Sequence, residues 1–264
     1  MLKLTNITKV VNKGTVNEKT IYKNLSLEIN SGDFVTIIGS NGAGKSTLLN
    51  IISGLTNHDN GNIFLENKSI GSLPEFKRTK KMGRVFQNPE LGTIPSMTIL
   101  ENMSMAFNKS NPFGFSFGLR SDKIEFFKDL LKTLDLGLEN SLNTKVSFLS
   151  GGQRQALTLL MVSLSEPKIL LLDEHTAALD PKTSEIIMKL TDKIVAQNNI
   201  TTLMVTHNLS HAINYGNRII MFHNGEIILD LSGDEKKLLT KEKILEIFNS
   251  EENNKILNDE IVLN

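Results

Sequence analysis

The chain has no cysteine and no tryptophan among its 264 residues, only two tyrosines and six prolines, and no excess charge of either sign, with 29 basic against 29 acidic side chains. Each shortage excludes something. Without cysteine there is no disulfide framework, no thiolate zinc site and no thiol nucleophile, and a reducing compartment is permitted. Balanced charge gives no support for a footprint on nucleic acid or an anionic bilayer, so no nucleic-acid partner is expected. No apolar run approaches the ~20 residues that span a bilayer, and Met1–Asn6 lacks the apolar centre of a secretory signal. A soluble chain is expected, and any role at a membrane then requires partners.

What the chain does have is Gly39-Ser40-Asn41-Gly42-Ala43-Gly44-Lys45-Ser46-Thr47. An apolar run, Phe34 to Ile38, precedes it and reads as a buried strand; Leu48 to Ile52 follows and reads as the first turns of a helix. Strand, glycine-rich turn and helix together make a phosphate cradle, because consecutive backbone N–H groups turn inward and the helix N-terminus adds partial positive charge. Lys45 would reach the β- and γ-phosphates, and the Ser46 hydroxyl would hold Mg²⁺.

Around this stretch the pattern predicts an α/β chain. Leu2–Thr8 and Leu25–Ile29 alternate as half-exposed strands, with a polar loop from Asn12 to Thr20 between them. Gly83-Arg84-Val85-Phe86 is a further short strand, ending at Gln87. From about residue 88 to 148 the periodicity is helical, with a capping box at Thr98 and a second amphipathic segment over Ile124–Leu134. Between them, residues 111–118 carry three exposed-looking phenylalanines, either a tether onto their own subdomain or a partner contact. The core resumes at Ile169-Leu170-Leu171-Leu172, continuously apolar as a strand buried on both faces should be. Asp180-Pro181 opens a helix, Thr202–Thr206 is the next strand, and Asn224-Gly225 marks a type I′ hairpin within Ile219–Asp230. The expected division is an α/β core that carries the phosphate cradle, with an antiparallel β subdomain (1–87 and 149–250), a helical subdomain (88–148) and a polar tail (251–264).

Two carboxylates, Asp173 and Glu174, follow directly on the Ile169 strand. Beside a phosphate cradle, the first can complete a Mg²⁺ shell and the second can orient and deprotonate water. Leu149-Ser150-Gly151-Gly152-Gln153 is a second glycine-rich helix start, capped by Ser150, and so a second anion site. Two such sites in one chain suggest that one copy holds the nucleotide while Ser150–Gly152 of another covers its γ-phosphate.

These stretches resemble the ATP-binding cassette family. Gly39–Thr47 is similar to Walker A, Ile169–Glu174 to Walker B with its following glutamate, and Leu149–Gln153 to the family signature; Gln87 stands at the Q-loop, Ala178-Leu179-Asp180 at the D-loop and His207 at the switch histidine. Their order agrees, and the resemblance covers about Leu2 to Asp230. It implies a P-loop NTPase fold and the ATPase subunit of an ABC transporter. On that resemblance Gly39 to Thr47 cradle ATP, Ser46, Gln87 and Asp173 attend Mg²⁺, Glu174 is the general base and His207 contacts the γ-phosphate. Ser150, Gly151, Gly152 and Gln153 act on the opposite copy's nucleotide, and Asp180 crosses the interface.

Two departures from the family pattern stand out. The usual aromatic that stacks on adenine is missing near Lys9-Val10-Val11, leaving Val11 to pack on the base or the Asn12–Thr20 insert to shift the contact to Tyr22. His175 stands where the family usually has proline, and with Gly83–Gln87 this resembles bacterial importer ATPases of the tryptophan/tyrosine type. The resemblance implies a homodimer, integral membrane permease subunits, an extracytoplasmic solute-binding lipoprotein and a place at the cytoplasmic face of the membrane. The alternatives are a soluble ABC ATPase not coupled to transport and a nucleotide-sensing module.

Overall fold

The computed structural model describes residues 1–109 and 121–250. β1 (Leu2–Val11) and β2 (Lys19–Ile29) form an antiparallel hairpin, and β3 (Phe34–Gly39) leads through the glycine-rich turn into α1 (Lys45–Ser53). β4 (Asn60–Leu65) and the two-residue β5 (Lys68–Ser69) return to β1, closing a four-stranded antiparallel sheet in the order β2-β1-β4-β5. After one helical turn, α2 (Glu75–Arg78), the strand β6 (Met82–Val85) enters a second sheet. Then come α3 (Ile99–Asn108), α4 (Ile124–Lys132) and α5 (Gly151–Ser163). The chain continues through β7 (Ile169–Asp173), α6 (Pro181–Asn198), β8 (Thr201–Val205), α7 (Leu209–Asn214), β9 (Arg218–His223), β10 (Glu226–Ser232) and α8 (Gly233–Lys237), with a helix over residues 241–250.

The second sheet runs β10-β9-β3-β8-β7-β6. Its strands are parallel except for β10, which pairs antiparallel to β9 across a turn where Asn224 and Gly225 both have positive φ, 46° and 82°. That pair of values is what a type I′ turn requires. The continuous apolar run of β7 is explained by two-sided burial. Ile169 and Leu171 point into one core with Leu48, Leu49 and the antiparallel sheet, while Leu170 and Leu172 point into the other with Leu157, Leu160 and Met188. Alternation by pleat thus feeds both faces of one strand.

In the helical segment, Thr98 Oγ1 accepts from the Glu101 N–H at 3.2 Å and Glu101 Oε2 accepts from the Thr98 N–H at 2.7 Å, the expected capping box. Phe107, Phe126 and Phe127 form a cluster with ring centroids 5.8–6.0 Å apart, which joins α3 to α4. Residues 111–118 and the tail 251–264 lie outside the described residues.

One expectation changes. The polar stretch Asn12–Thr20 is not a free loop throughout, since Lys19 and Thr20 already pair with Val11 and Val10. Alternation failed to mark them because that end of the hairpin is exposed on both faces. Only residues 12–18 make the turn.

Candidate active site

Four neighbouring strands of the second sheet end on the same side. β3 delivers the glycine-rich turn, β8 delivers His207, β7 delivers Asp173 and Glu174, and β6 delivers Gln87. The register makes this possible: Ile37 pairs with Val205, Asp173 with Val205, and Val85 with Leu172. Ile37 and Val205, 168 positions apart in sequence, pair directly, so the residues that follow them meet at one end of the sheet, where ligands of open α/β sheets bind.

At the centre Lys45, only 6% exposed, donates to the Gly39 carbonyl at 2.8 Å and the Ser40 carbonyl at 2.9 Å. Burial lowers its pKa, and the nearby Glu174 and Asp173 carboxylates counter that. The ammonium closes the turn on itself and stands ready for an anion. Gly44 caps α1 with φ 101°, and a Cβ there would lie 2.6 Å from the Tyr22 hydroxyl oxygen. No other residue fits so close an approach.

Tyr22 corrects one of the two readings of the adenine contact. It is fully buried, packs edge-on against Phe222, and donates its hydroxyl to the Gly44 carbonyl at 2.5 Å. Burial raises its pKa beyond the usual phenol range. It supports the phosphate turn from beneath and has no face free for a base. Val11 is half-buried at the end of β1, opposite Lys19, whose ammonium reaches to within 3.7 Å of where a Gly42 Cβ would sit. Sequence reasoning passed over Lys19, because nothing local distinguishes it from other surface lysines.

The carboxylates face different partners. Ser46 donates to Asp173 Oδ1 at 2.9 Å, and Arg84 donates to Asp173 Oδ2 at 3.1 Å. Glu174 Oε1 lies 2.7 Å from His207 Nε2. Glu174 also has φ 48°, a left-handed conformation held by its N–H bond to the Val205 carbonyl at 3.0 Å. Such backbone strain, about 1–3 kcal/mol, persists where the surroundings enforce it. Gln87 is exposed just beyond β6, beside the end of β7.

A hydroxyl and a carboxylate in contact are hard oxygen donors suited to Mg²⁺, which takes one or two protein oxygens and fills its shell with water and phosphate. Among the described residues there is no cluster of three or more His, Cys, Asp or Glu groups that would form an all-protein cage. The donor set fits Mg²⁺ held jointly with a nucleotide.

Ser150 is elsewhere. Its Oγ accepts from the Gln153 N–H at 3.2 Å while Gln153 Oε1 accepts from the Ser150 N–H at 3.1 Å, a capping box that starts α5. Gly152 packs on Thr183 and Gly151 near Leu179, so the turn rests on the start of α6. Among the described residues no hydrogen bond or ion pair joins Ser150–Gln153 to the Gly39–Thr47 turn. Asp180 caps α6, its Oδ1 accepting from the Thr183 N–H at 3.0 Å, and hydrogen bonding by the Thr183 side chain, then by its backbone, lowers the pKa of Asp180.

Two residues without an assigned role connect these parts. His175 is 2% exposed, with Nε2 at 3.1 Å from Thr191 Oγ1; burial, aided by His211, takes its pKa down to about 3. Gln155 donates to the carbonyls of His175, at 2.7 Å, and Phe86, at 3.3 Å, joining α5 to the ends of β7 and β6. Arg84 had a signal in the sequence, a charge within an otherwise apolar strand.

Residues 22–177 match the model of the ABC transporter family. The tyrosine transport ATP-binding protein of Clostridioides difficile (strain R20291) is 54% identical over 248 residues, 94% of this chain and 98% of that protein. The phosphonates import ATP-binding protein PhnC 2 of Oceanobacillus iheyensis is 34% identical over 94% of this chain and 95% of its own length. Among solved structures, the dimeric ATP-binding cassette MJ0796 of Methanocaldococcus jannaschii, in a post-hydrolysis state with ADP and Pi, has a TM-score of 0.75 at 34% identity, covering 88% of this chain and 98% of the other.

Proposed function

Because this chain belongs to the ABC transporter family, as its ATP-hydrolysing cassette, we propose that it powers the uptake of an aromatic amino acid, tyrosine or a close analogue. Support for the cargo comes from the tyrosine transport protein with which it shares 54% identity. The chain works as a self-dimer with membrane permease subunits; a solute-binding lipoprotein is the finer part of the proposal. No helix among the described residues is long and apolar enough to cross a membrane; a peripheral place at the cytoplasmic face is proposed from the transport and import ATP-binding proteins to which the chain is similar.

What supports the mechanism is that, among the described residues, no hydrogen bond or ion pair joins the Ser150 helix start to the Gly39–Thr47 turn, while the Ser150 turn packs on α6. Lys45, Ser46, Asp173, Glu174 and His207 meet at the sheet edge, while the Ser150 helix start lies apart, against α6. A single copy therefore presents half of each pocket. ATP binds the Gly39–Thr47 turn of one copy, and the exposed N–H groups at the start of the other copy's α5 cover the γ-phosphate. Val11 packs on the base and Asp180 reaches across the interface. Ser46 and Asp173, together with Gln87, would hold Mg²⁺, which would neutralise phosphate charge. Glu174 takes the proton of the attacking water as general base, and His207 holds Glu174 and the γ-phosphate in register. Loss of the γ-phosphate removes the link between Lys45 and the opposite Ser150, and the dimer opens.

The chain then divides into an ATP-binding core (1–87 and 149–250) and a helical subdomain (88–148). A cavity of about 310 Å³ between them, lined by Phe86, Leu91, Ala106 and Met161 among others, has room for one or two side chains presented by a permease segment. Complementation tests the proposal. Cells lacking this gene should lose energy-dependent tyrosine uptake, and the wild-type chain, not Glu174→Gln, should restore it. Unchanged tyrosine uptake in the deletion strain would refute the cargo assignment.

A further inference from the structure

Arg84 is a cation inside β6, and a charge there needs partners. Its side chain is 12% exposed and that of Asp173 is 14% exposed. Nη2 donates to Asn50 Oδ1 at 2.6 Å and to Asp173 Oδ2 at 3.1 Å, and Nη1 donates to Ser53 Oγ at 3.2 Å. The guanidinium carbon also lies 4.7 Å from the centre of the Phe86 ring, next to Gln87. Asn50 and Ser53 both belong to α1, the helix that starts at Lys45 and carries Ser46.

Asp173 is thus held at both oxygens from the same helix. Ser46 bonds Oδ1 directly, and Arg84, itself anchored on Asn50 and Ser53, bonds Oδ2. A carboxylate held at one oxygen can still rotate about its Cβ–Cγ bond. A donor on the second oxygen stops that rotation, and a planar fork fixed by two further acceptors loses little freedom in doing so. Partners of this outer kind orient the groups that ligate a metal.

We propose that Arg84 is a positioning residue for the divalent-cation site, fixing Asp173 to α1 so that Oδ1 and the Ser46 hydroxyl are presented together. This rests on the reading of Ser46 and Asp173 as the Mg²⁺ pair. The competing effect has the opposite sign. If Arg84 acted only through its charge, removing it would relieve repulsion and tighten cation binding.

The test uses the full chain, wild type against Arg84→Met, Arg84→Lys and Asn50→Ala. Mn²⁺ binding in the presence of ATP is followed by electron paramagnetic resonance, and binding of a fluorescent ATP analogue is measured in EDTA. Arg84→Met should weaken Mn²⁺ about tenfold or more and leave metal-free nucleotide binding within twofold. Arg84→Lys should fall between, since a point charge cannot serve three acceptors at once. Asn50→Ala should shift Mn²⁺ in the same direction by less. Mn²⁺ affinity that is unchanged or tighter in Arg84→Met overturns the proposal. If Arg84→Met does not fold, the same criteria apply to Arg84→Lys and Asn50→Ala. A wild-type chain that binds no Mn²⁺ with ATP would overturn the reading of Ser46 and Asp173, and this proposal with it.

Discussion

Glu174 Oε1 and His207 Nε2 lie 2.7 Å apart at the ends of adjacent strands, so the imidazole orients the carboxylate. Glu174→Gln keeps the shape and hydrogen bonding of the group but removes its basicity. It should bind ATP normally and lower the rate of phosphate release by about 10²–10⁴-fold, the usual worth of a general base. His207→Ala should also slow turnover while nucleotide affinity stays close to wild type. Steady-state phosphate release checks both, and a Glu174→Gln chain that turns over at the wild-type rate removes Glu174 from the mechanism.

Tyr22→Phe should cost stability. The substitution deletes one oxygen and leaves the Gly44 carbonyl without the donor it has at 2.5 Å. That carbonyl keeps its bond from the Leu48 N–H at 2.9 Å, so the cost is that of one lost hydrogen bond, about 0.5–1.5 kcal/mol, read as a lower urea midpoint with an unchanged slope. ATP binding should weaken as well, because the turn that carries Lys45 loses its support. A base contact through the ring would predict neither effect, because phenylalanine keeps the ring.

His175 sets an acid limit. Burial holds its imidazole neutral in the fold, with a pKa down to about 3, whereas the unfolded chain takes up a proton near the ordinary histidine value of about 6.5. Between those values the unfolded state binds more protons, so stability falls as pH drops from about 6.5 towards 3. His175→Leu should flatten that part of the profile, seen as the difference between wild type and variant in urea midpoints at pH 7.5, 6.5 and 5.5. A constant difference across the series would contradict the assignment.

Leu91 is 65% exposed on the wall of the cavity beside Phe86. Leu91→Glu should leave ATPase activity of the isolated chain near wild type, since the Leu91 side chain takes part in none of the bonds that hold Lys45, Ser46, Asp173, Glu174 and His207. With the permease present, it should weaken co-purification and reduce transport. Equal loss of both activities would mean that the cavity serves the ATPase rather than the permease.

Much of this was legible because it is local. Gly39–Thr47, Ser150–Gln153, Thr98–Glu101 and Asp180-Pro181 each encode a turn or cap in consecutive residues, and all four helix starts form there. The strand order was not legible, because β3 pairs with β8 and β9 across more than 160 positions and nothing local states which strand lies beside which. The same holds for Tyr22. An aromatic near the first strand suggests a base contact, and only the register that turns its side chain under Gly44 shows otherwise. Arg84 was visible as an anomaly, but its three acceptors come from α1 and β7, distant in sequence.

The split pocket is tested most directly by disulfide trapping, for which a chain without cysteine is a clean background. Ser40→Cys and Ser150→Cys are placed together in the Glu174→Gln chain, which is oxidised with ATP and Mg²⁺, with ADP, or without nucleotide, and run on a non-reducing gel. Disulfide-linked dimers that form with ATP and are scarce in the other two conditions are the expected result. Chains that bind ATP fully yet stay monomeric under oxidation would contradict a pocket shared between two copies.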